Sequence, residues 1–252
     1  MRPRVLFGDH PTLKPTIERL IDHGRFEIAF GSLELPDIAS FDLVVPLTID
    51  QIVAARDANA DGRRRAVVPD AELVEICDDK LLFCENMLAM GLGALLPELL
   101  PDPPNVFPYV RKPRRGEFGD GIRIVRRPED DHDPSPHSFC QRPVEGAYEY
   151  VLHLLRVDGR IRYARCYRYL MADTLSVRGR EQPALTIAEA EPGRALKPCA
   201  DILERLGFEG TCCFNYKWEA GALRILELNP RFGGSLAGDV NAYVAAHLEA
   251  LA

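Results

Sequence analysis

The run Arg224-Ile225-Leu226-Glu227-Leu228-Asn229-Pro230-Arg231, followed at once by Phe232-Gly233-Gly234-Ser235, most narrows what this chain can become. An apolar strand that ends in a carboxylate and an amide two residues apart presents both oxygens on one face. Strict alternation puts Ile225 beside them and turns Leu226 and Leu228 to the opposite layer. Glu227 and Asn229 are hard oxygen ligands suited to Mg²⁺, which takes one or two protein oxygens and completes its octahedron with water and phosphate oxygens. Arg231 adds a planar cationic fork for a carboxylate or phosphate, and the glycines after it let the backbone approach a ligand closely. The same pattern also describes a buried Glu capped by Asn at a strand end.

The order of the preceding segments bears on that choice. Arg4 to Asp9 reads as a short buried strand, and Leu13, Ile17, Leu20 and Ile21 recur at helical spacing until Gly24. Phe26 to Phe30, Phe41 to Pro46 and Arg65 to Pro69 are further strands, with a helical stretch around Gln51 to Arg56. This alternation predicts a small parallel α/β domain over residues 1–70. A long helix from Ala71 to Met90 follows, then a Pro-rich linker from Pro97 to Pro108. Strands joined by glycine turns complete residues 71–252, with Asp158-Gly159 a strong hairpin signal.

With 252 residues, 46% of them hydrophobic, the chain can bury two modest cores. No segment is apolar and long enough to span a bilayer, and the N-terminus runs straight into a needed strand, so neither a membrane association nor a signal peptide is expected. Seven cysteines without a Cys-x-x-Cys pair argue against a disulfide framework or zinc ribbon and fit a reduced cytoplasm. A net charge of −7 disfavours nucleic acid as a partner.

Two other stretches carry chemistry. Arg111 to Val125 reads as strand, glycine loop, strand; the backbone N–H groups of Gly116, Gly119 and Gly121 can cradle phosphates and Lys112 can place a charge on them. A solvated basic hairpin has the same sequence, and no Gly-Lys-Ser/Thr follows to make a P-loop. Phe139 to His153 is an edge strand interrupted by Pro143 and Gly146, able to offer backbone to a planar base; Glu149 and His153 are otherwise the polar face of a hairpin. Arg162, Arg165, Arg168 and Arg178 alternate with Tyr163, Tyr167 and Tyr169, either as a solvated sheet edge or as an anion-binding wall.

Taken in this order the segments resemble the ATP-grasp superfamily, of the carboxylate–amine ligase type. The resemblance rests on Asp79-Lys80 opening a helix, Lys112-Pro113 with the Gly116 to Gly121 loop, the Gln141 to Val144 hinge, the Glu149 to His153 strand and the closing Glu227 to Arg231. It implies an α/β (α+β) ATP-grasp fold behind a small Rossmann-like parallel domain. It further implies that Lys80, Lys112 and the glycine loop hold ATP phosphates, that Gln141 and the Val144 backbone meet adenine, and that Glu149 reaches the ribose or the neighbouring substrate. Glu227 and Asn229 would bind Mg²⁺, or Mn²⁺ in its place, with Asn215 as a further ligand. Arg231 and Lys112 would serve catalysis by holding the reacting carboxylate and phosphoryl oxygens. The implied partners are a small-molecule acid and amine, with a homodimer also open.

The chain departs from that pattern at several points. Asn215 stands where an acidic metal ligand is usual, Glu117 and Phe118 where serine and glycine are common, and His153 where an Asp is frequent. A short acidic segment from Arg126 to Ser138, with Asp130-Asp131-His132-Asp133 at a tip expected to be solvated, replaces a longer lid. These leave two alternatives to a ligase: a decayed ATP-grasp protein that binds nucleotide or acts as a scaffold, and a small-molecule phosphotransferase.

Overall fold

A computed structural model describes residues 1–252 except 34–37, 118, 132–134, 136 and 180–181. Strands β1 (Arg4–Gly8), β2 (Glu27–Gly31) and β3 (Leu43–Val45), with helices α1 (Leu13–Leu20) and α2 (Ile49–Asp57), build the N-terminal layer. The strands pair in parallel in the order β2-β1-β3. Successive side chains leave opposite faces, so β1 is apolar throughout because both faces are covered. Val5, Phe7, Leu43 and Val45 face Leu13 and Ile17 of α1, while Leu6 and Val44 face Ala55 and Ala58 at α2.

The strand expected at Arg65 to Pro69 does not form. The Asn59 side chain takes up the backbone there, accepting from the N–H of Arg65 at 2.6 Å and of Ala66 at 3.1 Å and donating to the Ala66 carbonyl at 2.9 Å. Among the described residues of this segment, the Arg65 carbonyl alone pairs with β3, accepting from Val44 N at 2.8 Å. A side chain that mimics a neighbouring strand removes the ladder a strand would need.

The helix expected from Ala71 to Met90 is two, α3 (Ala71–Asp78) and α4 (Lys80–Ala89). Asp79 between them has ψ of 102°, and its carboxylate accepts from the N–H of Leu81 and Leu82 at 3.1 and 3.2 Å. An Asp that caps a new helix outweighs continuation of the old one. Strands β4 (Leu99–Leu100), β5 (Tyr109–Pro113), β6 (Arg123–Val125) and β7 (Ser138–Gln141) follow as an antiparallel sheet in the order β4-β7-β5-β6. Arg111, 2% exposed, anchors this sheet's loops through Asp102 and Asp131. Asp131 is therefore fixed beneath the sheet rather than part of a solvated tip; His132 and Asp133 lie outside the described residues.

The third sheet contains β8 (Tyr148–Val157), β9 (Arg160–Leu170), β10 (Thr186–Ala190), β11 (Gly210–Glu219) and β12 (Ala222–Asn229), in the antiparallel order β10-β9-β8-β11-β12. Asp158 and Gly159 join β8 to β9 with φ of 52° and 73°, the left-handed pair a tight hairpin needs. One face of the sheet buries Leu152, Leu154, Phe214, Ile225 and Leu228 against α4 and α5 (Leu196–Leu206). Helix α6 (Val240–Leu251) packs Val240, Tyr243 and Val244 into the core it shares with β1 and α1.

A bulge at the end of β12 changes the expected pattern. Tyr216 pairs with Ile225 and Asn215 with Glu227, so Leu226 is the extra residue. The bulge reverses the alternation: Ile225 joins Leu228 in the core, and Leu226 turns into the cleft with Glu227 and Asn229. Ile225 is thus not the neighbour of Glu227 that strict alternation predicts.

Candidate functional site

Between the four-stranded and five-stranded sheets lies a cleft of about 1280 Å³ of non-atom space, part of it open to solvent. Its charged lining is Lys80 at the start of α4, Lys112 on β5, Glu149 on β8, Lys217 on β11, Glu227 on β12, and Glu117, Asp120, Arg142, Arg178 and Arg231 on loops. Residues from both halves of the sequence therefore meet in one polar chamber.

Glu227 sits at its centre. Its Oε1 accepts from Asn215 Nδ2 at 2.8 Å and Asn229 Nδ2 at 3.0 Å, and its Oε2 lies 3.7 Å from Lys80 Nζ. Burial pushes its carboxyl up, but Lys80, the Asn229 hydrogen bond and Lys112 outweigh that, so it is held below the usual carboxylate range and is charged. Lys80 Nζ donates to the Gly116 carbonyl at 2.8 Å and Lys112 Nζ to the Leu226 carbonyl at 3.4 Å. Burial lowers the affinity of Lys112 for its proton. One carboxylate with two amides is a donor set for Mg²⁺ that is otherwise held by phosphate and water. Among the described residues no cluster of three or more His, Cys, Asp or Glu could serve instead as an all-protein cage.

The glycine loop closes one side. Gly116 and Gly119 line the cleft with φ of 128° and 72°, whereas Gly121 is not in the lining and faces Pro113. A Cβ at Gly119 would stand 2.5 Å from the Arg178 carbonyl, so the loop rests directly on that segment. Asp79, which Arg114 grips at 2.6 Å and 2.8 Å, ties the root of the loop to the start of α4.

Val110, Ile124, Pro143, Val144 and Leu226 give the lining its apolar slot. Val144 lines the cleft, whereas Gln141 does not: its side chain is buried away from the cleft and donates to Cys84 Sγ at 3.5 Å and the Pro97 carbonyl at 3.4 Å. It is the last residue of β7, and alternation turns it toward α4. Lys217 was not singled out from the sequence. It is 3% exposed and its Nζ lies 3.3–3.4 Å from the carbonyls of Val144, Thr174 and Ser176, pinning the loops that flank the slot. A lysine two residues from Asn215 on the same strand face is the signal that could have found it.

The arginines divide. Arg178 lines the cleft, donating to Glu149 Oε1 at 2.7 Å with its guanidinium 4.4 Å above the Tyr169 ring. Arg162 turns to the Val157 carbonyl, Arg165 to Asp239 and Glu189, and Arg168 to the face of Tyr148. Neither the wall nor the solvated edge describes all of them. His153 is fully buried in the cleft wall, 2.8 Å from Ser235 Oγ, and burial holds its pKa down to about 3, so the ring is neutral.

No protein-family model matches the chain, and no curated protein matches it. Solved structures do. D-alanine–D-alanine ligase from Bacillus anthracis, complexed with ATP, superposes with a TM-score of 0.64 over 100% of this chain and 96% of that one, at 14% identity. The chain has the ATP-grasp fold. L-amino acid ligase from Bacillus licheniformis gives 0.66 over 99% and 74% at 15% identity. N5-carboxyaminoimidazole ribonucleotide synthetase from Thermotoga maritima gives 0.58 over 92% and 69% at 16% identity. At these identities the likeness is one of architecture. Among the described residues no helix is long and apolar enough to cross a membrane.

Proposed function

We propose that the protein is an ATP-dependent ligase that joins a small-molecule carboxylate to an amine, releasing ADP and phosphate, with residues 1–70 as a small domain ahead of an ATP-grasp body over 71–252. The observation that carries this reading is the half-buried, charged Glu227 facing Lys80 and Lys112 in a cleft that Arg178 and Arg231 also line. Such a chamber suits a polyanion and a metal together. The ATP complex of the similar D-alanine–D-alanine ligase supports the nucleotide, and the two amino-acid ligases support the bond formed.

In this reading the base lies in the apolar slot beside Val144, and Lys80, Lys112 and the glycine loop meet the phosphates. A carboxylate oxygen attacks the γ-phosphorus, that O–P bond forms, and the bond to ADP breaks. The amine nitrogen then attacks the acyl carbon, phosphate leaves with the bonding electrons, and the surplus ammonium proton passes to phosphate or water. Glu227, Asn229 and the Asn215 amide would hold Mg²⁺, which neutralises phosphate charge when bound. No side chain needs to act as nucleophile; the residues position and offer fixed charge where charge develops, an effect worth roughly 10²–10³ in rate for one well-placed group.

The deciding measurement is a panel of acids and amines scored for ATP-dependent phosphate release. ADP and phosphate that appear only when both an acid and an amine are supplied support the ligase. Phosphate transferred to a hydroxyl compound, or no turnover with any pair despite nucleotide binding, would replace it with the phosphotransferase or the binding protein.

A further inference from the structure

The proposed chemistry leaves Lys217 on β11 unused. The residue is buried, and its Nζ donates to the carbonyl of Val144 at 3.3 Å and to those of Thr174 and Ser176 at 3.4 Å. Three N–H donors meet three acceptors, so the ammonium has none to spare for a ligand. Among the described residues no carboxylate pairs with it directly; Glu149 and Asp173 act on it only across a distance. A methionine of similar length would fill this space without the cost of stripping water from a charge. What the lysine adds is a grip on backbone.

The carbonyls it grips belong to the two loops that flank the slot. Val144 lies in the hinge between β7 and β8, residues 142–147; Thr174 and Ser176 lie in a strap, residues 171–179, that leaves the end of β9. Two backbone bonds also join these loops, Gly146 N to the Thr174 carbonyl at 2.9 Å and Met171 N to the Ala147 carbonyl at 2.8 Å. Leu175, Ser176, Val177 and Arg178 of the strap line the cleft. The far end of the strap rests on the glycine loop at Gly119, and its Arg178 holds Glu149 at 2.7 Å. The strap is thus fixed at both ends by the protein's own atoms.

We propose that Lys217 is a positioning residue that clasps the strap to the hinge before any ligand arrives, so that the nucleotide meets a slot already built. It is not a ligand contact: its donors are all spent on the three carbonyls, and it acts through them. Ordering a loop at the moment of binding subtracts from affinity, and a clasp made during folding removes that cost from the binding step. A strap held only by the two backbone bonds would have to be ordered by the ligand instead. The identity of the ligand as a nucleotide rests on the ligase reading; the clasp itself does not.

The test is hydrogen exchange on the full chain, read by mass spectrometry, together with calorimetric titration of ADP in the presence of Mg²⁺. Without nucleotide, the amides of Gly146 and Met171 should exchange slowly in the wild type and about tenfold faster in Lys217→Met, which keeps the length of the side chain and removes its donors. ADP should leave exchange at these amides nearly unchanged in the wild type and slow it in Lys217→Met, and it should bind the variant about tenfold more weakly. In turnover the loss should fall on KM for ATP more than on kcat. A side chain that merely filled space would shift none of the nucleotide-dependent readings. Fast exchange at Gly146 and Met171 in the nucleotide-free wild type overturns the proposal even where Lys217→Met does not fold, and so do wild-type exchange and ADP affinity in a folded Lys217→Met. If ADP binds neither protein while the exchange results hold, the nucleotide reading fails and the clasp stands.

Discussion

Glu117 and Arg231 meet across the cleft, Oε1 to Nη2 at 3.1 Å. The glycine loop thus places its own carboxylate on the guanidinium proposed to hold the substrate carboxylate. The Glu117 side chain is 44% exposed, so the pair is screened and worth at most about 1 kcal/mol. Glu117→Gln should free Arg231 and lower KM for the acid substrate by up to about fivefold, with the gain shrinking as salt rises. Steady-state KM at two ionic strengths checks this; a raised KM would mean that Glu117 assists binding rather than competing with it.

Asn215 donates to Glu227, and replacing it by aspartate sets two carboxylates against one another. Without metal, Asn215→Asp should lose about 1–3 kcal/mol of stability, from the lost hydrogen bond and the new repulsion. With Mg²⁺ bound the second carboxylate becomes a ligand, and the deficit should shrink or reverse as binding to the folded state raises the midpoint. Thermal midpoints of both proteins across a Mg²⁺ titration decide it; a metal-independent deficit would remove Asn215 from the metal's surroundings.

Arg231→Lys keeps the charge but loses the planar fork. If the fork grips oxygens whose charge grows during transfer, the change should lower kcat and kcat/KM for the acid about 10²-fold and leave KM for ATP nearly unchanged. A variant whose only defect is in ATP binding would assign Arg231 to the nucleotide.

His153 and His247 are both buried, with pKa values held down to about 3 by burial. Between pH 6.5 and about 3 the unfolded chain takes up protons that the folded chain refuses, so stability falls as pH drops and is level above about 6.5. At pH 5 each contributes a loss of about 2 kcal/mol relative to neutral pH. Urea midpoints at pH 5 and 7.5 should differ accordingly, and His247→Gln should remove about half of this contribution to the difference. A pH-independent midpoint would mean that these rings are solvated or paired.

Much of the architecture is legible in local sequence because local rules govern it. The Arg4 to Gly8 run, the Asp158-Gly159 turn and the closing Glu227 and Asn229 each obey a short-range constraint of burial, dihedral or strand face. What escaped depends on partners far along the chain or on one inserted residue. The bulge at Leu226 shifts Ile225 to the opposite face without any mark in the composition. Asp79 ends one helix because it caps the next and binds Arg114, and Asn59 stands in for a strand edge that Arg65 to Pro69 would otherwise have joined. Lys217 and Ser235 gain meaning only beside Val144 and His153, contacts that span 73 and 82 residues.

The core that joins β1, α1 and α6 sets an order of events during synthesis. Val5, Phe7 and Ile17 are made long before Tyr243 and Val244 on α6, yet they share one core. A ribosome releases the N-terminal sheet long before that cover exists, so one apolar face of the sheet must wait, and nascent-chain helpers would find their binding surface there.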